Sequence, residues 1–132
     1  MHILTTEASF DAAHFLTNYE GKCKNIHGHR WRVIASISGE LNNGMVIDFG
    51  ILKNDLKELC DYFDHSFIVE KNSLKKELFD MLNSDFLLRE VPFRTTAENF
   101  SKYFYDELSK KYNVIEVTVY ETPNNSSRYL CK

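Results

Sequence analysis

Two stretches of strict two-residue alternation, one in each half of the chain, limit what this sequence can fold into. In "RWRVIASISGEL" Trp31, Val33, Ala35 and Ile37 alternate with Arg32, Ile34, Ser36 and Ser38, the spacing of a strand whose two faces meet different surroundings. In "NVIEVTVYET" Val114, Glu116, Thr118 and Tyr120 alternate with Ile115, Val117, Val119 and Glu121. Between them the period changes. "FGILKNDLKELCDYF" sets Ile51, Leu52, Leu56, Leu59, Cys60 and Phe63 on one helical stripe, and "TTAENFSKYFYDELSKKY" opens with Thr at an N-cap and Glu98 in the first turn before Phe100, Tyr103, Phe104 and Leu108. "HILTTEASF" adds a strand at the start, and "PNNSS" turns the chain into a last short strand, "RYLCK". The order strand, strand, helix, helix, strand, strand predicts an α+β fold: a four-stranded antiparallel sheet (ββααββ) with two helices on one face.

Two remaining segments are less regular. "LNNGMVIDFG" carries a turn signal at Asn43-Gly44 followed by a short extended piece. The charged, leucine-rich run from Val69 to Glu90 predicts a short helix before an extended "EVPF". A four-stranded sheet leaves two open edges, which invite closure into a barrel by oligomerisation.

The chain has 132 residues, 43% of them hydrophobic and 27% charged, which suits a single domain over 1–132 with one core. A net charge of -3 argues against nucleic acid as a partner. The N-terminus lacks a basic region followed by a long apolar run, and no apolar stretch approaches the roughly 20 residues needed to cross a bilayer, so a cytoplasmic protein with no membrane partner is expected. Cys23, Cys60 and Cys131 have no regular spacing and read as free thiols.

The chemistry concentrates in "GKCKNIHGHRW", inside a long connection of the kind that carries function. His27 and His29 are two apart, so both imidazoles share a face if Gly28 is already extended. The first strand continued through "SFDAAH" sets Phe10, Ala12 and His14 on one side, and an antiparallel return brings His14 opposite the pair. Three neutral imidazoles with a fourth position vacant match catalytic zinc; the competing reading is a polar strand end. Cys23 could be a fourth ligand, a nucleophile, a proton-transferring base or an inert loop thiol. Cys60, on an apolar helical stripe, and Cys131, near the terminus, read as packing or incidental.

In "DYFDHSF" Asp64 and His65 follow the first helix, where a carboxylate can orient an imidazole or a histidine can simply meet the helix C-terminus. Glu121 ends a strand whose alternate members are apolar; it either looks into solvent or waits in a pocket for a cationic or amidine-like partner. Glu98 has the ordinary role of a first-turn acid as its alternative. His2 has no such company.

In this order "FDAAHFL", "KCKNIHGHRWRV", "DFG", "FDHSF", "TTAEN" and "VYET" resemble the 6-pyruvoyl-tetrahydropterin synthase family over nearly the whole chain. The three-residue gap in "CKNIHGH" resembles the bacterial branch that forms 6-carboxy-5,6,7,8-tetrahydropterin for queuosine. The resemblance implies the tunnelling fold, Zn2+ on His14, His27 and His29, and a pterin triphosphate substrate, 7,8-dihydroneopterin triphosphate. It implies Cys23 as proton-transferring base, Asp64 and His65 as a second acid–base unit, Glu121 holding the pterin, and Thr96 and Glu98 in the pterin-pocket segment. Loss of triphosphate and of acetaldehyde would make it a lyase, and trimers pairing into hexamers are the implied homo-oligomer. Arg94 and Thr95 in "FRTTAEN" depart from the "NPTAEN" of relatives, "FDH" stands for "LDH", and Val69 to Val91 is variable. Arg94 would either pair with substrate phosphate or stay solvated.

Overall fold

The computed structural model of the chain describes residues 1–130; Cys131 lies outside them. Strands β1 (His2–His14) and β2 (His27–Gly39) form an antiparallel pair in unbroken register from His2 opposite Gly39 to His14 opposite His27. Helix α1 (Phe49–Asp61) leads to β3 (Ser66–Glu70), α2 (Lys76–Asp85) to β4 (Leu88–Val91), and α3 (Ala97–Leu108) to β5 (Asn113–Thr122) and β6 (Asn125–Leu130). The described residues form one sheet in the order β4-β3-β1-β2-β5-β6.

This corrects the expected four-stranded antiparallel sheet with two helices: the sheet has six strands, it is mixed, and a third α-helix is present. β3 runs parallel to β1 and β4 parallel to β3. Both additions are short, and β1 and β3 are in register only at Ala12–Ser66 and Ala13–Phe67. Segments of that length are too brief for a two-residue period to stand out, and parallel partners are joined by no hairpin that a turn signal could reveal. The expected short helix in the 69–90 region is α2, and the extended "EVPF" contributes to β4.

Local chemistry accounts for the element ends. Asp48 caps α1, its side chain accepting from the Gly50 N–H at 2.6 Å, and Thr96 caps α3 by accepting from the Asn99 N–H at 3.2 Å. Asn43 and Gly44 both take positive φ, 53° and 77°, while Asn42 and Met45 exchange backbone hydrogen bonds across them. Asn and Gly reach that left-handed region at the lowest strain, which is why the turn falls there.

The core lies between the sheet and helices α1 and α3. Leu52, Leu56 and Cys60 of α1, and Phe100, Phe104 and Leu108 of α3, meet Phe10, Trp31, Val33, Ala35 and Ile37. Phe63 and Phe100 pack edge to face at 5.5 Å, and Phe10 stacks on Trp31 at 5.9 Å. Ile51, expected on the α1 stripe, is exposed instead. In β5 the register slips opposite Ser36 and Ile37, so Val114 joins Val117 and Val119 in the core although sequence parity separates them. Beyond the slip the ordinary alternation keeps Val117, Val119 and Glu121 on one face. α2 differs from the other two helices: none of its residues is fully buried, and Leu78 and Met81 are exposed.

Candidate metal centre

The β1–β2 register decides the position of the histidines. His14 pairs with His27 and Ala12 with His29, so three imidazoles gather at the end of the core-facing side of the sheet. Ring centroids lie 4.6 Å (His14–His27), 4.8 Å (His27–His29) and 5.3 Å (His14–His29) apart. Trp31 forms the floor, edge-on to His14 at 4.9 Å and to His29 at 5.6 Å, with its indole N–H directed at the Ala12 carbonyl at 3.4 Å.

Two rings are oriented by backbone carbonyls. His14 Nδ1 donates to Thr95 O at 2.9 Å and His27 Nδ1 donates to Asn25 O at 2.7 Å. A carbonyl can only accept, so both rings carry a proton on Nδ1 and turn Nε2 inward. The Nε2 atoms of His14, His27 and His29 are all buried without a hydrogen-bond partner. Glu121, continuing the core-facing side of β5, brings Oε1 to 3.2 Å from His14 Nε2 and 3.1 Å from His29 Nε2.

Burial pulls the His29 pKa below the ordinary imidazole range, against the opposing pull of Glu121. Contact with His14, reinforced by the other histidines, holds the Glu121 carboxyl below its usual value despite burial. A His29 ring biased toward its neutral form and a Glu121 carboxyl biased toward its ionised form thus stand 3.1 Å apart. The ligand atoms of His14, His27, His29 and Glu121 all lie within 4.8 Å of one another, close enough to share one cation. Three imidazole nitrogens and one carboxylate oxygen form a donor set suited to a divalent metal. A cavity of about 370 Å³, lined by His29, Arg32, Tyr120, Glu121 and Pro123, opens beside the cluster, within the size range of small-molecule sites.

The remaining expected site residues stand outside this four-residue cluster. Cys23 is half-buried in a single 3-10 turn, Lys22–Lys24, and its carbonyl accepts from Leu16 N–H at 2.8 Å, which ties the turn to the chain just beyond His14. Asp64 Oδ1 accepts from the Asp11 N–H at 2.9 Å, and its Oδ2 accepts from His65 Nδ1 at 2.7 Å. The first of these bonds and the His65 contact lower the Asp64 pKa, and the hydrogen bond to Asp64 raises that of His65. His65 takes a left-handed backbone, φ 57°, and its N–H donates to Asp11 O at 2.7 Å. It lines an open groove with Asp11, Ala13, Arg30 and His29, so the groove reaches one member of the histidine cluster.

Thr96 spends its hydroxyl on the α3 cap, and Glu98 is exposed in the first turn of that helix. Arg94 donates through Nε and Nη2 to Thr17 O at 3.1 and 2.8 Å, so its guanidinium braces a loop. Cys60 is wholly buried, and burial pushes its thiol up to about 12, which leaves it a packing residue. Sequence reasoning missed Thr95 and Asn25, whose carbonyls orient two histidines. The adjacency of Thr95 to "TAEN" was a signal for the first, and nothing in the sequence marks the second.

This centre sits in a fold with known relatives. The family model for 6-pyruvoyl tetrahydropterin synthase matches residues 3–131. The chain belongs to that family. Within the 6-pyruvoyl tetrahydropterin synthase family it is 35% identical to the 6-carboxy-5,6,7,8-tetrahydropterin synthase of Haemophilus influenzae, over 98% of this chain and 99% of the relative. It is 32% identical to the 6-carboxy-5,6,7,8-tetrahydropterin synthase of Rickettsia bellii, over 91% and 94%. An uncharacterized protein from Wolinella succinogenes, 21% identical, shares the fold with a TM-score of 0.81 over 99% of this chain and 98% of that one. No helix of the described residues is long and apolar enough to cross a membrane.

Proposed function

We propose that this family member is a zinc-dependent carbon–carbon lyase that converts 7,8-dihydroneopterin triphosphate to 6-carboxy-5,6,7,8-tetrahydropterin, with release of triphosphate and acetaldehyde, on the route to queuosine. One observation carries the reading: three buried, unpartnered Nε2 atoms converge beside Glu121. The 35% identical, full-length relative named for this synthase supports the choice of reaction.

In this reading His14, His27 and His29 hold the zinc. Bound there, zinc supplies Lewis acidity toward the side-chain oxygens of the substrate. Three protein ligands and one open position are the usual catalytic pattern, so Glu121 is left for the pterin. It stands where the histidines meet the cavity, and its two oxygens match the 2-amino and N3 hydrogens of the pterin in a bidentate pair. Thr96 and Glu98, at the start of α3, belong to the pterin-contacting segment. Cys23 moves a proton at the substrate side chain, and the Asp64–His65 pair supplies the second acid–base group.

The position of that pair bears on assembly. His65 shares an open groove with Asp11, Ala13, Arg30 and His29, and its exposed imidazole can serve substrate held by another copy of the chain. Among the described residues β4 and β6 are the outermost strands of the sheet, edges through which copies can join into a barrel, as trimers pairing into hexamers with pockets between subunits.

The deciding experiment incubates zinc-loaded protein with 7,8-dihydroneopterin triphosphate and identifies the pterin by mass spectrometry, with Cys23→Ala as control. Formation of 6-carboxytetrahydropterin with acetaldehyde, lost in the control, supports the reading. A 6-pyruvoyl product, the activity that names the family, replaces it with the sister reaction. Bound but unchanged substrate makes the chain a pterin-binding protein.

A further inference from the structure

His14 is wholly buried, and its Nδ1 faces two oxygens of one residue: Thr95 O at 2.9 Å and Thr95 Oγ1 at 3.0 Å. The hydroxyl has one hydrogen, and it is directed at Phe15 O at 3.2 Å. With that hydrogen given away, Oγ1 meets the ring as an acceptor beside the carbonyl. Two acceptors about one ring nitrogen require that nitrogen to carry the proton. We propose that Thr95 is a positioning residue, whose hydroxyl and carbonyl together hold His14 in the Nδ1–H tautomer with its bare Nε2 turned toward His27, His29 and Glu121.

The surrounding bonds make Thr95 a fixed reference point. Arg94 grips Thr17 O, and Arg94 O in turn accepts from the Thr96 N–H at 2.8 Å and from Asn99 Nδ2 at 2.9 Å. Residues 94–96 are thus strapped across the chain leaving β1 immediately after His14. Thr95 is itself 1% exposed, and a buried hydroxyl stays there at low free-energy cost only with its hydrogen bonds made. The hydroxyl also separates this arrangement from one in which the backbone carbonyl acts alone. Without it, Phe15 O loses a donor and Nδ1 keeps a single acceptor, so the packing around the ring no longer has a second hydrogen bond to fix its orientation.

The consequence for metal binding rests on the zinc reading above, whereas the tautomer does not, so the test measures both. In the metal-free full-length chain, long-range 1H–15N NMR assigns the His14 tautomer, and competition against a chromophoric chelator gives the zinc affinity. The parent should show Nδ1–H on His14. Thr95→Val, close in shape but without the hydroxyl, should show a second tautomer and bind zinc about 10–100-fold more weakly, and Thr95→Ser should restore both. Thr95→Ala repeats the deletion if the valine variant does not fold, with the near-ultraviolet spectrum of buried Trp31 as the check on folding. A folded Thr95→Val or Thr95→Ala protein with the parent's tautomer and a zinc affinity within about twofold of it overturns the proposal. If the parent itself takes up no zinc, the metal reading fails and the tautomer comparison alone decides the role of Thr95.

Discussion

The two clusters of titratable side chains are built in opposite ways. His14, with a side chain 0% exposed, sits at the end of the long β1–β2 ladder, on an aromatic floor and against backbone carbonyls. His65, with a side chain 79% exposed, hangs from a left-handed turn at the start of β3 and is oriented by a single neighbour, Asp64. The first arrangement is finished within one chain, because regular pairing and burial leave its rings few alternatives. The second fixes the backbone and leaves the imidazole open to whatever covers it. A group that exchanges protons with a substrate needs that openness, and a metal ligand needs the reverse.

The contrast breaks first if the histidines of the ladder can be dispensed with. Replacing His29 with Ala should abolish both zinc retention and turnover, read by metal analysis and product formation; a variant that keeps full activity without metal removes the centre from the reaction. His65→Ala should lower turnover by about 10²–10⁴-fold, the usual contribution of a positioned acid–base group, with zinc content unchanged. Mixing the two inactive proteins under conditions that exchange subunits should restore part of the activity, because each supplies what the other lacks. No recovery in verified mixed oligomers would mean that each chain serves its own site.

Stability separates the regions on a smaller scale. Trp31→Ala, beneath the cluster, should cost about 3–5 kcal/mol in denaturant unfolding, whereas His65→Ala should fall within about 0.5 kcal/mol of the parent. Comparable losses at both positions would erase the distinction between a packed floor and an open pair.

The smallest effect is one of titration. Asp64 raises the pKa of His65 and is itself held low, mainly by the Asp11 N–H. A raised imidazole pKa favours the folded chain below the ordinary imidazole value, and the advantage fades as pH climbs through the raised one; a lowered carboxyl pKa acts above the ordinary carboxyl value and fades as pH falls through the lowered one. The charged pair therefore spans the window between the lowered Asp64 value and the raised His65 value. Asp64→Asn should shift the NMR titration of His65 downward while leaving the unfolding midpoint at neutral pH nearly unchanged, and an unmoved titration would show that the two side chains do not interact in solution.

Much of the histidine centre was legible because it depends on strand parity. His27 and His29 share a face by their spacing, and His14 follows Phe10 and Ala12 on the same side of β1, so an antiparallel return makes them meet. Glu121 was ambiguous. Its alternation with Val117 and Val119 pointed inward, but parity alone put Val114 on the wrong side, and the slip in register opposite Ser36 and Ile37 is a property of two strands together. β3 was missed, and β4 was read only as the extended "EVPF" without a place in the sheet, for a related reason: each is held by a parallel neighbour distant in sequence, and neither is long enough to advertise a period.

By itself the sequence determined the alternation that makes β1, β2 and β5 strands, the stripes that seat α1 and α3, the Thr cap of α3 and the facing of three histidines. These are local matters, governed by backbone geometry and by which side chains avoid water. Only the tertiary structure decided that the sheet is mixed and six strands wide, that Glu121 closes on the histidines, that His65 lines a groove with His29, and that Thr95 holds His14 across 81 positions of the chain. Each of those depends on partners far apart in sequence, and a hydrogen bond between distant residues leaves no periodic trace in either segment it joins.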